Sequence, residues 1–301
     1  MKTFDCNGLI PAIVIPFKSD FSIDEEVLRK YINHISKSDI KALAINTDAG
    51  ESHLLSNNEK KRIVSIVSEK LKGNIPLVCG ISGTNTKDVV EFGKELKDLG
   101  VDAFLVFSHP LLRGEKNKDN AIIQYHSEIS KIGLPIIIFQ LQQELGGVEY
   151  NPETLKGLVE IKNVIAIKEA SFDALKFKET VEFLNSLEKK IIILTGNDNF
   201  IPESFILGAD GALIGFGSIF TDMQVQMIKN IKKRNYQEGF LIYKKIENIC
   251  RLCFSSPVRN YRVRMKEVLV KQGIFKNSVV KPPLLPISDE EKQMIYSIMP
   301  K

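Results

Sequence analysis

The amino-acid sequence predicts an α/β fold, a (β/α)8 TIM barrel with a C-terminal helical appendage. Three observations lead there. Short apolar runs rich in Ile and Val recur eight times without polar alternation, the pattern of parallel strands buried on both faces. Amphipathic helical stretches fill the intervals between them. The eight units fit within about 230 residues, the usual count and scale of a (β/α)8 barrel. A doubly wound open sheet would have fewer strands and a phosphate-binding glycine loop after the first. Here the first run ends Ile15-Pro16-Phe17-Lys18, with no such loop.

Taken in order, the expected strands are Leu9–Phe17, Ala42–Asn46, Pro76–Cys79, Ala103–Phe107, Pro135–Phe139, Val164–Lys168, Ile191–Leu194 and Gly211–Ile214. The first expected helix, Asp24–Ser38, opens on acidic residues, which suit a helix N-terminus. Asn58–Leu71, Thr86–Leu99, Lys118–Ile132, Pro152–Val159, Asp173–Leu187, Ile201–Leu207 and Met223–Arg234 follow. Gly100 and Gly208 stand where helices end and supply the left-handed turn. Beyond about residue 235 no strand is evident. Helices are expected over Gln237–Phe254, Val258–Gln272 and from about Ser288, while Lys281-Pro282-Pro283-Leu284-Leu285-Pro286 is too proline-rich for a helix interior. The division is therefore a barrel over 1–234 and a helical region packed on it over 235–301.

The composition excludes several function classes. The 301 residues are 44% hydrophobic and 26% charged, ordinary for a globular protein. A net charge of +4, from 41 basic and 37 acidic residues, is spread along the chain. A nucleic-acid surface needs a concentrated basic patch, so no nucleic-acid partner is expected. No apolar run approaches the length of a membrane span, and the opening MKTFDCNGLIPAIVIPF lacks a signal-peptide layout. Cys6, Cys79, Cys250 and Cys253 suggest no disulfide framework, which suits a reducing cytoplasm. Cys250 and Cys253 form a C-x-x-C, but within an apolar helical pattern and without a second ligand pair. They read as packing residues rather than a metal or redox site.

Catalytic residues of such barrels stand at the C-terminal ends of strands. The sixth run, Asn163-Val164-Ile165-Ala166-Ile167-Lys168, ends its apolar stretch on a lysine. Burial there lowers the pKa and offers a neutral amine to a carbonyl carbon, the requirement for an imine. The plainer alternative is a lysine that reaches solvent or pairs with Glu169.

Ile167-Lys168-Glu169-Ala170-Ser171 resembles the Schiff-base strand of the dihydrodipicolinate synthase and N-acetylneuraminate lyase family. The resemblance covers nearly the whole chain. Gly8–Phe17 is similar to that family's first strand, and Ala49-Gly50-Glu51-Ser52 to the loop after its second. Thr195-Gly196-Asn197-Asp198 is similar to the turn after its seventh strand, and Gly208-Ala209-Asp210-Gly211 to the turn into its eighth. Arg264-Met265-Lys266-Glu267 and Pro282-Pro283-Leu284 also match. The resemblance implies a class I lyase, an aldolase or dehydratase, that binds pyruvate or another 2-oxo acid as an imine on Lys168. It implies no metal and no organic cofactor, and a homo-oligomer, dimer or tetramer. By the same resemblance Ala49, Gly50, Phe139, Gly196, Asp198 and Leu213 are candidate substrate contacts, the loop amides of Asp48–Gly50 holding the carboxylate.

Departures from the pattern are as informative. Phe139 stands where the family has a proton-relaying tyrosine, and phenylalanine has nothing to titrate. Asp48 and Ala49 replace a hydroxyl pair. Leu111-Leu112 replaces a tyrosine that the neighbouring subunit contributes, and Glu144 falls where synthases have an arginine. Asp48 and His109 are the candidate replacement proton carriers, with water as a third. Three readings follow: a divergent lyase, an authentic 4-hydroxy-tetrahydrodipicolinate synthase, and a non-catalytic barrel that binds a 2-oxo acid.

Overall fold

The computed structural model describes residues 5–112 and 119–300. Lys118, from which the fourth helix is expected to start, lies outside them, as do the first four residues of the opening segment. Eight parallel strands run in the order β1-β8-β7-β6-β5-β4-β3-β2. They are β1 (Leu9–Pro11), β2 (Leu43–Ile45), β3 (Leu77–Ile81), β4 (Ala103–Val106), β5 (Ile136–Leu141), β6 (Val164–Ala170), β7 (Ile192–Thr195) and β8 (Gly211–Ile214). A parallel bridge from Ala12 to Ala44 joins the two ends of the sheet, with the Ile13 N–H on the Ala44 carbonyl at 3.0 Å. The fold is therefore a (β/α)8 TIM barrel, as the eight non-alternating runs require.

Helices α1 (Glu25–Ile35), α2 (Asn57–Leu71), α3 (Thr86–Asp98), α4 (Asp119–Ser130), α5 (Pro152–Glu160), α6 (Ala174–Ser186), α7 (Ile201–Ile206) and α8 (Thr221–Lys232) alternate with the strands. Local chemistry starts them. Asp24 accepts from the Val27 N–H, and Ser56 and Glu59 cap α2 reciprocally. These contacts satisfy amides that an α-helix leaves free at its N-terminus.

Three expectations shift. The first strand is only three residues long: it ends on Pro11, and Pro16 follows in the same run, neither of which can donate to a ladder. The run Gln237–Phe254 is two helices, α9 (Tyr236–Lys244) and α10 (Glu247–Cys253), which part at Lys245 and Ile246. The sixth strand continues to Ala170, so Lys168 stands two residues inside its end, deeper than the apolar run implied.

The C-terminal helices α11 (Tyr261–Lys271) and α12 (Asp289–Ser297) complete the chain. One buried contact ties α11 to the barrel. The Lys266 ammonium, fully buried, meets the Glu51 carboxylate in the loop after β2 and the Val279 carbonyl at 2.7 Å. The other Glu51 oxygen accepts from the Lys281 N–H at 2.8 Å. Removing one partner strands a buried charge. Lys266→Met is therefore expected to cost about 3–5 kcal/mol in urea unfolding, and a loss below about 1 kcal/mol, the range of an exposed pair, would contradict it.

Candidate active site

β6 places Lys168 between Phe139 of β5 and Leu194 of β7 in the sheet register. Its side chain rises into a small pocket at the C-terminal end of the barrel, and the residue is 9% exposed. The Nζ lies 4.4 Å from the centre of the Phe139 ring. Gly196 is what lets the lysine stand there, since a Cβ on it would fall 2.7 Å from the Lys168 Cε. Burial pushes the amine below the ordinary lysine range, against the pull of Asp198 and Asp48 towards the ammonium form.

Glu169 does not pair with this lysine. Its side chain leaves the strand on the other face, where it accepts from Asn197 Nδ2 at 2.8 Å, Gln140 Nε2 at 3.2 Å and the Ser171 N–H at 3.1 Å. Burial raises its carboxyl above the ordinary value, in spite of those bonds. Asn197 also accepts from the Phe172 N–H at 2.6 Å, so one network fixes the loops after β6 and β7.

Asp198 faces the lysine from the β7 loop. Its Oδ1 accepts from the Phe216 N–H at 2.8 Å, and its carbonyl accepts from the Cys250 thiol at 3.0 Å. Burial lifts its carboxyl to about 6, moderated by the Phe216 bond and by Lys168. Its carboxylate is thus a ligand of the β8 loop rather than a loose turn residue. Cys250 and Cys253 are both buried and free. Burial pushes both thiols up, Cys253 to about 12, so neither is a nucleophile near neutrality.

Asp48 lines the same pocket but is already engaged. Its carboxylate meets the Arg262 guanidinium and accepts from the Tyr261 hydroxyl at 2.9 Å, while Arg262 Nε donates to its carbonyl at 2.7 Å. Burial opposes its charge, yet Arg262, His53 and Tyr261 together hold the carboxyl below its ordinary value. The negative charge of Asp48 is therefore neutralised locally.

Ala49, Phe139, Gly196 and Asp198 line the pocket with Lys168. Three other candidates do not. The Gly50 N–H is committed to the Thr47 carbonyl at 3.1 Å, which removes it from the amides expected to hold a carboxylate. Leu213 is fully buried in β8, in register with Ile10. His109 lines a separate cleft with Leu112 and Tyr125. Both its ring nitrogens are used there, with Thr84 O at 3.0 Å and the Leu111 N–H at 3.1 Å. It is not brought to Lys168 as a proton carrier.

Of the lining residues outside the sequence-based set, two carry hydroxyls, Thr47 and Tyr261. Thr47 is 1% exposed, and its hydroxyl has no hydrogen-bond partner among the described residues. Leaving such a group buried and unpaired costs about 1–3 kcal/mol. Tyr261 enters from the first turn of α11, its ring stacked on Phe254 at 5.0 Å and 15°. The position of Thr47, one residue before the expected hydroxyl pair, was a usable signal; Tyr261 gave none. The cavity measures about 50 Å³. A water needs about 10–15 Å³ by comparable measure, so the space suits a ligand of few heavy atoms. A wider groove of about 810 Å³ lies elsewhere and is lined by paired charges such as Arg62 with Glu25.

Among the described residues no group of three or more His, Cys, Asp or Glu could hold a metal ion, and no helix is long and apolar enough to cross a membrane. The model of the dihydrodipicolinate synthetase family matches residues 5–301. A 4-hydroxy-tetrahydrodipicolinate synthase of Methanothrix thermoacetophila is 26% identical over 294 residues, 98% of this chain and 96% of that one. An uncharacterised DapA-like lyase of Pyrococcus abyssi is 24% identical, over 92% of this chain and 91% of that one. Among solved structures, the chloride-inhibited dihydrodipicolinate synthase from Acinetobacter baumannii complexed with pyruvate superposes with a TM-score of 0.86 at 23% identity, covering 98% of each chain. YagE from E. coli K12, in complex with pyruvate, gives 0.88 at 20% identity over 97% of each.

The electrostatics of the lysine are testable without a substrate. Competitive acetylation, read by peptide mass spectrometry across pH, is expected to show a Lys168 midpoint below that of surface lysines. Asp198→Asn removes an anion that favours the ammonium, so the midpoint moves further down. An unchanged or raised midpoint would contradict the assignment.

Proposed function

The chain belongs to the dihydrodipicolinate synthetase family, and from that premise we propose that it is a class I lyase acting on pyruvate or another small 2-oxo acid through an imine on Lys168. The observation that carries this is the buried amine itself. Lys168 stands in a small pocket at the catalytic end of the barrel, with its basicity lowered by burial. A neutral amine attacks a ketone carbon, and the resulting iminium withdraws electrons from the adjacent carbon. That serves aldol cleavage, condensation and dehydration alike.

The pocket also offers a place for the acid's carboxylate. The Thr47 hydroxyl and the Ala49 backbone N–H are donors on the β2 side of the pocket. The Asp48 charge beside them is met by Arg262. The Phe139 ring covers the lysine where the family has a hydroxyl, which keeps the reacting carbons dry. Pyruvate in the complexes of two structural relatives supports the choice of substrate class.

Borohydride reduction in the presence of pyruvate tests the reading. The expected product is a Lys168 peptide heavier by pyruvate, less water, plus two hydrogens. Lys168→Met is expected to abolish it. No adduct on Lys168 with pyruvate, 2-oxobutyrate or 2-oxoglutarate would overturn the proposal. The names of the relatives favour one narrower reading, the synthase reaction with aspartate semialdehyde. Condensation after adding that aldehyde would establish it; an adduct without condensation leaves the broader lyase.

A further inference from the structure

An imine on Lys168 needs a partner that takes a proton from the neighbouring carbon, and Phe139 cannot be that partner. Besides the lysine, the titratable groups lining the pocket are Asp48, Asp198 and Tyr261. Asp198 is bound to the Phe216 N–H on the β8 side. Tyr261 is held differently. Its hydroxyl donates to Asp48 Oδ2, 2.9 Å away, its ring stacks on Phe254 at 5.0 Å, and the Arg262 guanidinium lies 4.5 Å from the ring centre. A phenol held by ring contacts and bonded to a carboxylate is preorganised for proton transfer.

We propose that Tyr261 is the proton-transfer group of this site, passing a proton between the substrate carbon next to the imine and Asp48. The inference rests on the Schiff-base reading above. In the forward step the C3–H bond of the iminium breaks and its electron pair forms the C2=C3 bond. The C2=N pair moves onto the Lys168 nitrogen, giving a neutral enamine. The proton goes to the Tyr261 oxygen while the Tyr261 proton passes to Asp48 Oδ2. The reverse step returns it to carbon, so nothing is oxidised or consumed.

The protonation states fit. Burial keeps the Tyr261 phenol well above its ordinary value, so it enters the step as a neutral donor. Burial works against the Asp48 charge, but Arg262 and His53 outweigh it, so Asp48 enters the step as the unprotonated partner. The relay has thus moved from strand β5 to the C-terminal helix α11.

The test reads two steps in one sample, with pyruvate as the probe. Borohydride trapping reports the imine, and loss of the pyruvate methyl proton signal in D2O reports C3 exchange. Tyr261→Phe keeps the stacked ring, so trapping is expected to persist while exchange slows by about 100-fold or more, the usual worth of general acid–base catalysis. Asp48→Asn keeps an acceptor for the hydroxyl but takes no proton, and exchange is expected to fall there too with trapping retained. Exchange as fast in Tyr261→Phe as in the unaltered protein would overturn the proposal. Loss of trapping together with exchange in Tyr261→Phe would also overturn it, because the residue would then act before the carbon step. No trapping in the unaltered protein would remove the Schiff-base reading and this inference with it.

Discussion

A primary amine inside a parallel barrel has lost the water that keeps an ordinary lysine charged. Lys168 keeps two carboxylates nearby, Asp198 and Asp48, but each is already bound to other groups. The face of an aromatic ring, 4.4 Å away, offers only weak compensation. Desolvation therefore dominates, and the amine is held nearer neutrality than its chemistry in water would allow. The surrounding arrangement serves that condition. Gly196 makes room for the methylene stem, Glu169 turns to the other face of the strand, and the Phe139 ring lies against the amine.

A second condition is that the β2 loop and the C-terminal helix meet above this amine. Glu51 adopts a left-handed backbone conformation at φ 57°, which costs a non-glycine residue about 1–2 kcal/mol. Its buried pair with Lys266 and its bond from Lys281 hold it there. Three residues away, Asp48 is joined to Tyr261 and Arg262 of the same helix. One face of α11 thus anchors the loop through Glu51 and places a hydroxyl in the pocket through Asp48. The helical region after the eighth strand is part of the site's construction.

The barrel was legible because burial on both faces of every strand removes polar alternation, and runs such as Ile136-Ile137-Ile138 have few other homes. Lys168 was legible for the same reason: a lysine that follows Val164, Ala166 and Ile167 in a buried strand must be paired or put to use. What escaped were contacts that depend on long-range closure. Nothing in the local pattern says that Tyr261 meets Asp48, 213 positions away. Nor does an amphipathic run reveal that its first turn faces a pocket. His109 was misleading because proximity to a strand end in sequence does not fix which cleft a loop side chain enters. Its ring is spent on the Thr84 carbonyl and the Leu111 amide. Gly50 was misleading for a related reason, since its amide closes a turn onto the Thr47 carbonyl.

The most direct test of the central claim is a crystal structure of the protein soaked with pyruvate. Continuous density from the Lys168 Nζ to C2, with the carboxylate on the Thr47 hydroxyl and the Ala49 amide, is the expected result. Pyruvate bound without a covalent link, or seated away from Lys168, would contradict it.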